Sequence, residues 1–587
     1  MKKLIAITFS LLTLMTFTGC TSGDSENNSE ENTLTPAKGN KYYGGVFRVN
    51  ESEYIKNLYP LSIIDIYSYR IASQIYEGLF KFDQQTLQVT PSLVESYAKS
   101  DDQLVYTFKL KDNVYFHDDK CFEGGKGKKL TAQDIFYSFN LICTYNKNNQ
   151  YAHLFTDIVV GATEYYNATK EDVSFVKTPK GLEGVSGFKV VDEHTFEVTL
   201  IKPNSMFLYN LARPGAFIFP EEAREFYGED MRTKCVGTGP FQIASVDEDI
   251  SIILSKNENY HGTDQFGNKL PFLKAIVVSF IKDKKIEFLE FKKGELDMMY
   301  RIPTEDIIDI LTESDESSEN YKYRLQRVPE MSTQFLALNN QSKVFSDINV
   351  RKAFNYAIDR QRILEYILNG EGYMEGYNGI TPPVFKNYDI GEIRGYSMNI
   401  DSAKYYLAKA GYPNGKGFPK ITLDLNTEGE QYSNVALEVK KQLKDKLNIN
   451  IELKFSPFAQ IAEKSIMGRY DFLRLACIAD YPSPENYLWA YYSKTLPENP
   501  NEKSWPNLIR YKNPKFDVEY EKALAATTQD EALKYFMKAE QILMADAPFI
   551  VLWYDEGYRL IQRSVQDFPN NAMQYRDFSA VYFDKTN

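Results

Sequence analysis

The 587-residue chain is poor in the side chains on which most metal and nucleophile chemistry rests, with 4 histidines and 5 cysteines. His117, His153, His194 and His261 stand alone, with neither an HExxH nor a close pair, and no CxxC spacing occurs, so a zinc site is not expected. A GxSxG elbow and a phosphate-binding glycine loop are also missing. No basic run is long enough to neutralise a phosphate backbone, and the formal charge of −12 points the same way. That argues against nucleic acid as a partner, and against a polybasic membrane patch. Tryptophan is scarce, at 3, beside 43 tyrosines and 38 phenylalanines. Tyrosine pairs an apolar body with a polar tip, which suits the lining of a wet cleft and equally the filling of strands. With 80 acidic residues, any two carboxylates can be nominated as a catalytic pair, so pairs alone carry no weight.

What is present begins with an export signal. Lys2 and Lys3 precede an apolar run from Leu4 to Phe17 that is too short to span a bilayer, and Thr18-Gly19-Cys20 closes it with small residues and a cysteine. This resembles a bacterial lipoprotein signal, in which Cys20 is lipidated and becomes the mature N-terminus; the alternative is an ordinary secretory signal with an incidental cysteine. Residues 21–41 hold few large apolar side chains and several acids, so they are expected to form a flexible tether, with ordered structure from Tyr42. Cys121, Cys143, Cys235 and Cys477 are widely separated, and export would permit a disulfide, for which Cys121 and Cys143 are nearest in sequence. No second apolar segment of spanning length follows, nor any repeat of solenoid period. The length exceeds one core and predicts two or three domains.

Periodicity predicts mixed α/β structure throughout. Leu104, Tyr106, Phe108 and Leu110 alternate as in a half-buried strand, and a helix follows with Thr131 as N-cap and Asp134 as its box partner. "HTFEVTLIKP" reads as a strand ending at Pro203, and "VRKAFNYAIDRQRILEYIL" as one helix with Val350, Phe354, Ala357 and Ile358 on a face. In "DSAKYYLAKAGYP", Asp401 reads as the cap, Gly411 as the stop and Pro413 as the breaker. Val435, Val439, Leu443 and Leu447 fall four apart, and the period then changes to two at Ile449, Ile451 and Leu453. "DEALKYFMKAEQILMADAPFIVLWY" repeats the change from helix to strand.

The stretch "RLACIADYPSP" is unusual: an apolar run ends in Asp480, and Pro482 and Pro484 follow. Several blocks around it, taken in order, carry a resemblance: "QIYEGLFKFDQQTLQVTPSLVESY", "YTFKLKDNVYFHD" with "GKKLTAQDIFYSFN", "VGTGPFQI" with "LSKNENYH", "VRKAFNYAIDR", "YNGITPPV" and "YDFLRLACIADYPSPENYL". From about Tyr42 onward the chain resembles the family 5 extracytoplasmic solute-binding proteins of ATP-binding-cassette importers, which include oligopeptide-, dipeptide- and nickel-binding receptors. The resemblance implies an α/β, periplasmic binding protein type II-like fold of the three-domain cluster C architecture: two lobes, a hinge and an extra subdomain. Domain I is placed by it at 42–82, 206–332 and 547–587, domain II at 83–205 and domain III at 333–546.

The resemblance also implies a function. Peptide-binding members use an aspartate in the last block to pair with the ligand's α-amino group, and Asp480 is the matching position. A buried ammonium needs a carboxylate and further acceptors in place of its water. The strand Leu473–Ile478 would aim the acid, and the prolines would end the strand; an Asp in a turn is the competing reading. Arg474 matches a family arginine near the cleft, and either meets a ligand carboxylate or pairs with a neighbouring acid. Cys477 and Ile478 stand where peptide binders often carry tryptophan. Ala479, Tyr481 and Asn486 complete the candidate ligand-binding set, with Tyr481 equally suited to pack beneath the prolines. Gly237, Thr238 and Gly239 read as a structural turn near the hinge. The expected protein is a monomeric, lipid-anchored receptor, not an enzyme, that needs no cofactor and passes short peptides to permease subunits of a transporter. A nickel chelate, haem or another small solute is the alternative ligand, and an exported hydrolase the alternative class.

Overall fold

Alternating apolar side chains build three principal sheets. The structure, a computed structural model, describes residues 34–171, 183–303, 306–426 and 430–585. The signal segment, Cys20 and residues 21–33 of the expected tether lie outside them.

In the first sheet, Phe241–Asp247, Ser251–Lys256 and Ala275–Ser279 run antiparallel, and Val46–Asn50 adds a parallel edge. The second is an antiparallel sheet of Val94–Lys99, Val105–Leu110, Thr195–Thr199 and Phe188–Asp192. The third is mixed and has seven strands. Its centre is the pairing of two long strands, Tyr323–Leu338 and Phe549–Gln562, with Phe472–Ile478 beside the first of them. Apolar side chains segregate accordingly. A large core runs through the first two sheets, and a second one, with Phe354, Leu423, Val439 and Phe472, packs helices against the third.

Local chemistry explains the element ends. Asp134 accepts the Thr131 backbone N–H at 2.9 Å, as the capping box requires. Val435, Val439, Leu443 and Leu447 are buried on the helix Glu430–Leu447, which feeds the strand Glu452–Ser456. The helix Gln529–Ala545 likewise feeds Phe549–Gln562.

Four expectations change. The "HTFEVTLIKP" strand stops at Thr199, before Pro203. The cap of helix Ile400–Lys409 is Asn399, whose Oδ1 accepts the Ser402 N–H at 2.8 Å, and Asp401 lies inside the first turn. The helix begun at Ile348 ends at Ala357, because Asp359 caps a new turn by accepting the Arg362 N–H. Ordered structure also begins before Tyr42: Thr35–Pro36 pairs with Tyr42–Tyr43, and the Lys41 ammonium lies 2.5 Å from Asp567 and 3.4 Å from Asp264. Hydropathy is blind to that anchoring, because ion pairs and hydrogen bonds supply it. The four cysteines after Cys20 are free thiols. No helix among the described residues is long and apolar enough to cross a membrane.

Candidate functional site

The strand Phe472–Ile478 climbs out of the interior. Phe472 and Leu473 are fully buried, the middle residues are half-buried, and Ile478 is 60% exposed. Pairing with the long strand runs from Leu338 opposite Phe472 to Ser332 opposite Ile478, and the Ala479 N–H continues it by donating to the Met331 carbonyl at 2.9 Å. The prolines then turn the chain. Because strand side chains alternate, Arg474, Ile478 and Asp480 share one side, while Ala479 and Tyr481 point inward and are buried.

Asp480 emerges with its side chain 69% exposed. Its backbone N–H donates to Asn486 Oδ1 at 3.1 Å, so Asn486 caps the turn. Among the described residues the nearest cation to the Asp480 carboxylate is Arg213, at 3.8 Å. That guanidinium is itself buried, stacked 4.9 Å over the Tyr481 ring, and its Nε has no hydrogen-bond partner. Tyr481 lies under the acid with its hydroxyl on Glu485, which also accepts from Tyr520. Tyr481 and Asn486 are therefore supports of Asp480 rather than exposed neighbours. Burial, with the Asp480 and Glu540 charges, pushes the Cys477 thiol up to about 12, so Cys477 is a neutral packing residue here.

Arg474 stacks on Tyr432, 3.5 Å from its ring centroid, and one of its amino groups donates to Gln334 Oε1. Its Nε has no partner among the described residues. Tyr432 lines a cleft of about 1090 Å³ with two walls. One wall carries Lys284, Arg301 and Ile307; the other carries Gly372, Tyr432, Trp553 and Asp555. Asp555 is held rigidly, accepting from Ser332 Oγ at 2.5 Å, Gln334 Nε2 at 2.6 Å and Trp553 Nε1 at 2.7 Å. Lys284 and Arg301 also border a second, inner chamber of about 290 Å³, whose lining includes Ile478 and Ala479. Cleft and chamber share Lys284 and Arg301, and Asp480 follows directly on Ile478 and Ala479 of the chamber lining.

Sequence reasoning passed over Arg213, Tyr432, Asp555 and the arginines of the chamber. Asp555 carried the signal already used for Asp480: an acid directly after a strongly apolar strand segment, "FIVLWYD". Arg213 carried none.

The turn Gly237-Thr238-Gly239 lies away from the cleft and presses on the end of helix Ile66–Ile75. A Cβ on Gly237 would stand 2.1 Å from the Ile75 carbonyl oxygen, so only glycine fits. Thr238 Oγ1 donates to Glu77 at 2.9 Å, and His261 Nε2 lies 2.9 Å from the same carboxylate. Burial alone would raise the Glu77 pKa; His261, with Lys81 and Ser92, outweighs it and holds the value at about 2.

A two-walled cleft with ionic groups on both faces suits reversible capture of a polar solute, and the family comparison agrees. Residues 88–498 match the model described as bacterial extracellular solute-binding proteins, family 5. The chain belongs to that family. Family 5 consists of solute-binding proteins rather than enzymes. Among curated family 5 relatives, heme-binding protein A of Haemophilus influenzae is 24% identical over 100% of both chains. The periplasmic oligopeptide-binding protein OppA of Salmonella typhimurium is 25% identical over 88% of both. Among solved structures, the periplasmic binding protein DppA of Helicobacter pylori in complex with peptide STSA superposes with a TM-score of 0.73 at 24% identity, over 92% of this chain and 99% of that one. NikZ of Campylobacter jejuni in complex with Ni(L-His) gives 0.70 at 18%, over 91% and 97%. The shared fold is the two-lobed, type II-like α/β architecture of periplasmic binding proteins.

Proposed function

We propose that this family 5 protein captures short peptides in the cleft, pairs their α-amino group with Asp480 and delivers them to the permease of an ATP-binding-cassette importer. The observation that carries the reading is the state of the Asp480 carboxylate, which is raised on the rim of a buried strand with one cation at 3.8 Å as its contact among the described residues. An acid that merely caps a turn accepts backbone N–H groups, and here Asn486 does that work. Relatives named for oligopeptide and dipeptide binding support the same ligand class. In this reading Arg474 lies along the bound peptide, and the long strand Tyr323–Leu338 crosses from domain I (42–82, 206–332, 547–587) into domain III (333–546), with Phe549–Gln562 paired to it from domain I. Domain II is 83–205, which holds the whole second sheet.

Asp480→Asn is expected to weaken peptides with a free N-terminus by about 2–5 kcal/mol, the usual cost of breaking a desolvated charge pair. N-acetylated peptides should lose far less. Calorimetric titration of both sets checks this, and equal losses would remove Asp480 from the role.

The second reading is a haem or nickel-chelate receptor, favoured by the full-length similarity to heme-binding protein A. We also propose lipid anchoring at Cys20, from the Thr18-Gly19-Cys20 signal. Cys20→Ala should move the protein from the membrane to the soluble fraction on cell fractionation; retention on the membrane would reject the anchor.

A further inference from the structure

Behind Ile478 and Ala479, the inner chamber is dominated by positive charge. Arg70 and Arg576 line it and share a single carboxylate: Arg70 Nη1 donates to Glu51 Oε2 at 2.9 Å, and Arg576 Nη1 donates to Glu51 Oε1. Arg70 is 7% exposed and Arg576 2%. The other cations at the chamber have acids of their own, since Lys284 pairs with Glu287 at 2.6 Å and Arg301 stands 3.9 Å from Glu330. Arg70 and Arg576 thus have one ion-pair partner, Glu51, between them among the described residues. The hydrogen bonds are also incomplete: Nε of Arg70, and Nε and Nη2 of Arg576, are buried with no acceptor among the described residues. Arg559, packed nearby, adds to the field. Its donors go to neutral oxygens, Gln326 Oε1 and the Phe568 carbonyl, both at 2.8 Å. Burial, together with Arg576, Arg324 and Arg70, holds its pKa well below the ordinary value.

A cluster that served only to staple the interior would give each guanidinium donor an acceptor, as the carbonyls of Val551, Asn355 and Ile358 do for Arg360, because an unpaired buried donor is costly. Here three donor nitrogens remain for an acceptor from outside. Met331 and Met573 line the same space and suit the methylenes of a short arm. At about 290 Å³ the chamber admits such an arm together with its carboxylate.

We propose that this chamber is an anion subsite that receives a carboxylate of the ligand close to its N-terminal residue. The carboxylate is either an acidic side chain or, in a dipeptide, the terminal group. The proposal rests on the peptide-receptor reading and adds the ligand's charge to it.

The test uses the whole exported chain and matched peptides. Tetrapeptides of alanine carrying Glu or Gln at the first, second or third position are titrated calorimetrically, alongside Ala-Ala and its C-terminal amide. At least a tenfold preference for Glu over Gln at one position assigns a side chain to the chamber; a tenfold preference for the free dipeptide acid assigns the terminal carboxylate. If acidic and neutral partners bind alike throughout, the subsite is overturned while the receptor reading stands. If none of these peptides binds, both fall. Met573→Glu places a carboxylate in the chamber from within and is expected to erase the preference; a preference of unchanged size in that variant overturns the assignment to this chamber.

Discussion

The His117 ring is used on both sides, and this fixes its charge. The Gly237 N–H has only a donor to offer, so Nδ1 must accept it, at 3.3 Å, and Nε2 must carry the proton it gives to the Gly239 carbonyl at 2.9 Å. Burial, the largest influence, lowers the pKa from 6.5 to about 4. The folded value lies below the unfolded one, so the native state binds fewer protons. Its contribution is complete above about pH 6.5 and is lost as pH falls towards 4. At 1.36 kcal/mol per pH unit the loss is about 3 kcal/mol. His153, lowered by burial to about 3, adds a loss of the same sign over this range, so urea unfolding between pH 7 and 4 should show a steeper fall in the parent, and His117→Gln should reduce it by about 3 kcal/mol; an unchanged fall would place the proton elsewhere. The sequence showed His117 as an isolated histidine and no more, because its partners are backbone groups of a distant turn. The place of Asp480 just beyond an apolar strand was legible, since that is a local pattern. Arg213 was not, since its place beside Asp480 is made only by the fold.

Element positions followed from period, whereas several boundaries followed from side chains that the period ignores. Val350, Phe354 and Ala357 read correctly as a buried helical face, but the helix stops before Ile358. Beside the Asp359 cap, Arg360 turns inward there and donates to the carbonyls of Val551, Asn355 and Ile358. Asn399 displaced Asp401 as a cap: both residue types cap well, and two residues of register decide between them. The GTGP turn was legible as structural, and its geometry gives a firm expectation. A Cβ on Gly239 would lie 2.6 Å from the Ile75 carbonyl group, where neither the helix end nor the turn can yield cheaply. Gly239→Ala should therefore cost about 1–3 kcal/mol, the usual range for overpacking. A thermal midpoint equal to that of the parent would show that the helix end gives way.

For the whole molecule, the order of the sequence blocks was enough to reveal the architecture, because each block is a strand or helix of one fold. The ligand was not legible, because the cleft joins Arg301 from one wall to Trp553 and Asp555 from the other. The two walls are connected by the long strands Tyr323–Leu338 and Phe549–Gln562, whose pairing is interrupted by a register shift between Pro329 and Thr333. A shift of this kind loosens a ladder locally. If the strands act as the hinge, a peptide that touches both walls adds contacts only to the closed form and shifts the population towards it. Ile308 and Tyr366 report on that motion: each is highly exposed, one beside Ile307 and the other close to Leu368, on opposite walls. Spin labels on Ile308→Cys and Tyr366→Cys should give a shorter, narrower distance distribution when peptide is added. The same peptide at a hundred times its Kd should stabilise the fold by about 2.7 kcal/mol. Stabilisation without a change in distance would mean that the cleft is already closed before the ligand enters, and would move the search for a hinge away from these strands.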